Sequence, residues 1–252
     1  MLHYTLLLIY RWAFSSFVEN FASIVRICII SHFMGTVEMI CYSYTWFIIS
    51  ISSVVSEALY SSLYKHVNNA VALETEEGNT TAGKYIRIGM CINLFNSLLV
   101  NAVLITTIAP IMRLYGYGEQ IALLSQNYMY IAAVNDLLTS SISFPGLIPD
   151  IIGHADFDAM FGLVDAGIDI SITILLVPKF QLTLLHLGLI HMVHDVLMVI
   201  LYYWITWYWN QWFAEYKKGI TNVLDIQISS CNLFSRNSFK VRKISFMSGK
   251  ID

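Results

Sequence analysis

The chain has 252 residues, of which 57% are hydrophobic and only 12% charged, and its mean hydropathy is +0.63. That leaves too little polar surface to coat a soluble domain, so lipid is the expected solvent. A net charge of -3 and an isoelectric point near 6.1 exclude a basic face that would neutralise nucleic-acid phosphates.

A spanning helix needs roughly 20 mainly apolar residues, and stretches of that kind recur with polar breaks between them. The first runs from Tyr4 to Phe33 and ends near Gly35-Thr36. Its Arg11 follows the opening apolar run instead of preceding it, which is the wrong order for a cleaved secretory signal. The second spans Met39 to Tyr64, and the polar stretch from Lys65 to Gly83 is expected to be the longest loop. The third covers Lys84 to Met112, stopping at Arg113 with Gly116 and Gly118 beyond it. The fourth runs from Glu119 to Phe144 and is ended by Pro145-Gly146 and Pro149. The fifth covers Asp158 to Val177, stopping at Pro178-Lys179. The sixth runs from Leu182 to Trp212, with Trp204, Trp207, Trp209 and Trp212 at its end, where indole rings favour the membrane interface.

The pattern predicts an all-α membrane protein with a six-helix transmembrane bundle over residues 1–214. A polar, basic and mobile tail is expected over 215–252, because seven of the fourteen Lys and Arg residues lie from Lys217 onward. Basic residues mark the cytoplasmic side. Lys65, Lys84, Arg87 and the tail share one side, against Arg113 and Lys179 on the other, so both termini are expected in the cytoplasm of a cell with this multi-pass protein in its plasma or an organelle membrane. The cysteines Cys28, Cys41, Cys91 and Cys231 form no Cys-x-x-Cys pair and announce neither a disulfide framework nor a zinc site.

Three landmarks carry a family resemblance. They are Ser31-His32-Phe33-Met34-Gly35-Thr36 after the first helix, Ala82-Gly83-Lys84-Tyr85-Ile86-Arg87 with the long helix to Pro110-Ile111-Met112-Arg113-Leu114-Tyr115-Gly116, and Gly153-His154 before a helix bearing Asp165 and Asp169. In order and spacing, residues 26–204 resemble one six-helix lobe of the multidrug and toxic compound extrusion family. The resemblance implies a membrane antiporter that exports organic cations or other small molecules on a sodium or proton gradient. It also implies a second lobe, in another part of a longer protein or in a second copy, since family members have two lobes related by a pseudo-two-fold axis. Ser56-Glu57-Ala58-Leu59 stands where the family has a small-residue Gly-Gln pattern.

Ionisable groups at bilayer depth are costly and are read first as functional. Asp165 and Asp169 lie four apart on one helix face, the electrostatic design of a proton or sodium site, in which two close carboxylates do not easily both ionise. By the resemblance, Asp169 matches the acid of an Asn-x-x-x-Asp cation site and Asp165 replaces its Asn. Arg26 stands where members with that site carry an Asp on the first helix, so a tethered guanidinium takes the place of the mobile cation and pairs with Asp169. Glu19, two turns before Arg26, is the competing partner. Glu57 and Asp136 are single acids that either line a substrate cavity or make helix–helix hydrogen bonds.

The sixth helix has His186, His191, His194 and Asp195. The His191-x-x-His194 spacing suits a metal in principle, and His194-Asp195 a proton relay, but interhelical bonding is the plainer use and no metal site is expected. No cofactor is expected beyond Na+ or H+ as coupling ion. The expected partners are the bilayer, a cationic small molecule and the second lobe. Two alternatives stay open: a lipid-linked flippase of the same superfamily, and a non-transporting membrane fragment that associates with a full-length partner. An enzyme is not expected, since the sequence has no P-loop, His-Glu-x-x-His or nucleophile motif.

Overall fold

The computed structural model describes residues 2–221, with the side chains of several positions in the first helix and of residues 52, 53, 55–57 and 155 outside that description. Among the described residues the secondary structure is helical throughout: α1 (Leu2–Phe33), α2 (Thr36–Val71), α3 (Glu76–Leu114), α4 (Glu119–Ser143), α5 (Leu147–Ile151), α6 (Ala155–Phe180), α7 (Leu184–Tyr203) and α8 (Lys217–Thr221). A π-helical stretch, Trp204–Trp209, continues α7. Four helical stretches are long and apolar enough to cross a membrane: Glu76–Leu114, Glu119–Ile151, Asp156–Phe180 and Leu184–Trp209. Asn20–Phe33 in α1 and Thr36–Ile51 in α2 are shorter apolar segments.

The stretch expected to be the longest loop is mostly helical. The helix α2 continues to Val71, and only residues 72–75 separate it from α3. At 36 and 39 residues, α2 and α3 measure about 54–58 Å at 1.5 Å per residue. That exceeds the roughly 30 Å hydrocarbon layer of a bilayer, and most side chains from Asn68 to Glu77, at their adjoining ends, are exposed. Local chemistry supports the early start of α3. The Thr75 hydroxyl accepts from the Gly78 amide at 3.0 Å, and Glu76 and Glu77 place negative charge in the first turn, beside the positive end of the helix dipole.

Two other expected ends also move. The helix α6 carries Pro178 in its last turn and stops at Phe180, where Gln181 adopts a left-handed φ of 47°. Pro178 cannot supply the amide that would bond back to residue 174, and the helix ends two residues beyond it. The folded part also extends beyond the expected boundary at 214: α8 packs against α3, with Gly219 and Gly83 in backbone contact. A Cβ on Gly219 would collide with the Thr80 carbonyl oxygen, so the close approach requires glycine there. The expected tail from residue 222 onward lies outside the described residues.

Helix α1 packs mainly on α6, α3 on α4 and α2, and α4 on α7. One apolar core gathers Ile30, Tyr42, Ile108, Met112, Met129 and Leu184. The other gathers Leu63, Val67, Ile86, Phe144, Leu147 and Phe213. On α3 the two cores lie at opposite ends, and between them runs a buried polar stripe, Asn93, Ser97 and Asn101, spaced one turn apart. Large apolar side chains such as Phe47, Phe95, Leu98, Leu175 and Leu197 face outward and are more than half exposed, an arrangement suited to lipid.

Candidate functional site

Because α1 lies along α6, Arg26 is carried to Asp169. The two form an ion pair whose side chains are 16% and 11% exposed, which places a full charge pair inside the helix bundle. The second guanidinium nitrogen, Nη1, donates to the hydroxyl of Tyr42 on α2 at 2.7 Å. Tyr42 is itself held by an aromatic contact with Tyr128 on α4, and Tyr128 accepts a 3.2 Å hydrogen bond from the Trp46 indole. The guanidinium is therefore anchored on two helices, through a carboxylate and a phenol.

The other carboxylate oxygen of Asp169, Oδ1, lies 3.1 Å from His191 Nδ1 on α7. His191 Nε2 is 3.3 Å from the Thr173 hydroxyl, which is 3.0 Å from the Asp169 carbonyl oxygen. These contacts admit two proton arrangements. With one ring proton, on Nδ1, His191 donates to Asp169 and its Nε2 accepts from Thr173. With two, both nitrogens donate, and the Thr173 hydroxyl turns to its helical carbonyl. Rotation of one hydroxyl therefore accommodates the gain or loss of a proton without moving a helix.

Asp165, one turn before Asp169, does not share this cell. It faces His194, whose Nε2 lies 3.5 Å from Asp165 Oδ1 and whose Nδ1 lies 3.3 Å from Asp195 Oδ1. The two acids on α6 thus meet two histidines on α7 in antiparallel order, Asp169 with His191 and Asp165 with His194. The close carboxylate pair expected to share one proton is instead divided between two bases.

Asp136 accepts a 2.7 Å hydrogen bond from Asn101 Nδ2, the helix–helix bond that was the alternative to a cavity role. It belongs to the polar stripe on α3, where Asn93 donates to the Ser140 carbonyl at 3.1 Å and Ser97 meets the Ser140 hydroxyl at 2.8 Å. Glu57 lies on α2, and its side chain is outside the described residues, as is that of Glu19. His186 contacts Thr183 at 2.8 Å and takes no part in either cell.

No family model, curated protein or solved structure matches this chain.

Tyr42 and Thr173 complete the site but have no sequence signal of their own, one being among fifteen tyrosines and the other a lone threonine in an apolar helix. A further acidic group also escaped the sequence reading. Tyr60 on α2 donates to Asp150 on α5 at 3.5 Å, and its ring packs against Phe144. On the surface, Glu76 pairs with Lys218 of α8, and that hydrogen bond holds the ammonium above its ordinary range.

Proposed function

We propose that the chain is a six-span lobe of a cation-coupled antiporter, embedded in a membrane with both termini cytoplasmic, resembling a lobe of the multidrug and toxic compound extrusion transporters. It moves organic cations or other small molecules by alternating access, together with a second lobe supplied by the same longer protein or by another copy. The observation that carries this reading is the buried Arg26–Asp169–His191 cell, assembled from α1, α6 and α7. Charges at bilayer depth are retained at considerable cost, and such a cell is the means by which a transporter binds its driving ion.

The cell favours a proton over sodium as the driving ion. The Arg26 guanidinium stands where a mobile cation would sit on Asp169, which leaves the His191 ring as the place for an exchangeable charge. Loss or gain of a proton there changes the load on Asp169 and hence its hold on Arg26 and α1.

Reconstitution in liposomes tests this reading. A fluorescent organic cation is expected to move when a pH gradient is applied, and Asp169→Asn and His191→Gln are expected to stop it. Uptake that ignores the gradient, or survives both variants, would refute it. A second reading rests on the same ion pair. A tethered guanidinium neutralises Asp169 permanently, so a lobe without transport that associates with a full-length partner is the outcome if no gradient drives movement.

A further inference from the structure

We infer that Asp165, His194 and Asp195 form a binding site for one divalent first-row transition-metal ion, distinct from the Arg26–Asp169–His191 cell. One donor atom from each of the three residues lies within 4.8 Å of the others. An ion bonded at about 2.0–2.2 Å holds its ligands roughly 3–4 Å apart, so closure of the cluster needs only side-chain rotation.

The second observation is the His194 ring itself. It is 7% exposed, its Nε2 is buried without a hydrogen-bond partner, and that nitrogen points at Asp165 Oδ1 from 3.5 Å. Its Nδ1 faces the Asp195 carboxylate at 3.3 Å. A neutral imidazole has one N–H and one lone pair. Placed between two carboxylates, the neutral ring satisfies one of them and turns its lone pair on the other, whereas the doubly protonated ring would donate to both. A cation between Nε2 and Asp165 removes that conflict. With Nδ1–H donating to Asp195, the ring is oriented in the manner of a carboxylate–histidine–metal arrangement; alternatively, Asp195 joins the ion directly.

The donor set narrows the ion. One imidazole nitrogen with carboxylate oxygens suits Zn2+ or Mn2+, whereas Ca2+ and Mg2+ prefer oxygen alone. The Asp165 and Asp195 side chains are 44% and 28% exposed, so the site has an open side where water completes the coordination shell. An ionised carboxylate facing lipid is costly, which turns this face of α6 and α7 toward a wet cleft. His191 is excluded from the site because Asp169 holds its Nδ1 one turn away.

The test uses the full chain purified in nanodiscs and titrated with Mn2+ alone, followed by the loss of the free-ion electron paramagnetic resonance signal. We expect one ion per chain, displaced by Zn2+ and resistant to Mg2+. His194→Gln and Asp165→Asn are each expected to weaken binding by about 10- to 100-fold, the range seen when even an orienting group is lost. Glu119→Gln, at an exposed surface carboxylate paired with Arg113, serves as a control and should leave the affinity unchanged. Absence of stoichiometric binding to the wild type, or binding indifferent to both His194→Gln and Asp165→Asn in variants that keep their helical circular dichroism, overturns the inference. A wild type that binds Mn2+ but moves no cation in liposomes supports the metal site and sinks the transport reading, so the two are decided separately.

Discussion

Replacing Arg26 by alanine removes the fixed positive charge from the cell and leaves the Asp169 carboxylate buried. Removing one member of a buried pair typically costs about 3–5 kcal/mol, because the survivor keeps its desolvation penalty. Here the lower end applies, near 3 kcal/mol, since His191 Nδ1 stands 3.1 Å away and still donates to the surviving carboxylate. Asp169→Asn leaves the guanidinium with its 2.7 Å bond to Tyr42 and with a long stem able to reach polar surroundings, so its loss is smaller. In the double variant neither charge is stranded. We expect it to be less destabilised than the two single variants added together, by about 1–3 kcal/mol of coupling. Equilibrium unfolding of the four proteins in mild detergent, monitored by circular dichroism, measures the cycle. Additive losses would show that Arg26 and Asp169 do not interact in the folded bundle, and the central cell of the proposed mechanism would be lost with them.

Further predictions concern other parts of the molecule. Asn101→Leu strands the Asp136 carboxylate and is expected to cost about 1.5–3 kcal/mol, whereas Asn101→Leu combined with Asp136→Leu recovers most of the loss; the same unfolding assay reads both. Gly219→Ala drives a methyl group into the Thr80 carbonyl and should detach α8, making the segment around Lys218 susceptible to trypsin. Lys218→Ala should leave α8 in place, because its pair with Glu76 is largely solvent-exposed and worth little. The sequon at Asn79 is expected to remain unglycosylated in a secretory-pathway membrane, as the proposed orientation puts it in the cytoplasm; a glycan there would invert the topology. Asn79 is also engaged, donating to Glu215 at 2.9 Å.

The helical, apolar character of the chain was legible because it depends on composition and on runs of about 20 residues, which no tertiary contact needs to complete. A partner for Arg26 was also legible, from the cost of burying a charge alone, but spacing left Asp169 and Glu19 as competing candidates and only the packing of α1 on α6 brings Asp169 to it. The helix ends around residues 65–83 were not, because a polar stretch reads as a loop whether or not the helix continues beyond the membrane into water. Nor was the separation of Asp165 from Asp169. Spacing places both on one face of α6 but says nothing of which side chains the facing helix presents, and His191 and His194 divide the two acids between them. The polar stripe of α3 was present as Asn93, Ser97 and Asn101 at intervals of four, a signal hidden because each residue alone is unremarkable in a long helix.

The Tyr42 bond has a consequence for how such a chain is made. Synthesis produces Arg26 with α1, whereas Asp169 follows only after α2 to α5. Throughout that interval the guanidinium has no carboxylate from α6 to neutralise it. Tyr42 lies on α2, the very next helix, and joins α1 across the tight turn at Gly35. The first helical hairpin, α1 and α2, therefore holds within itself a hydrogen-bond acceptor for the arginine, made more than a hundred residues before the acid that completes the site.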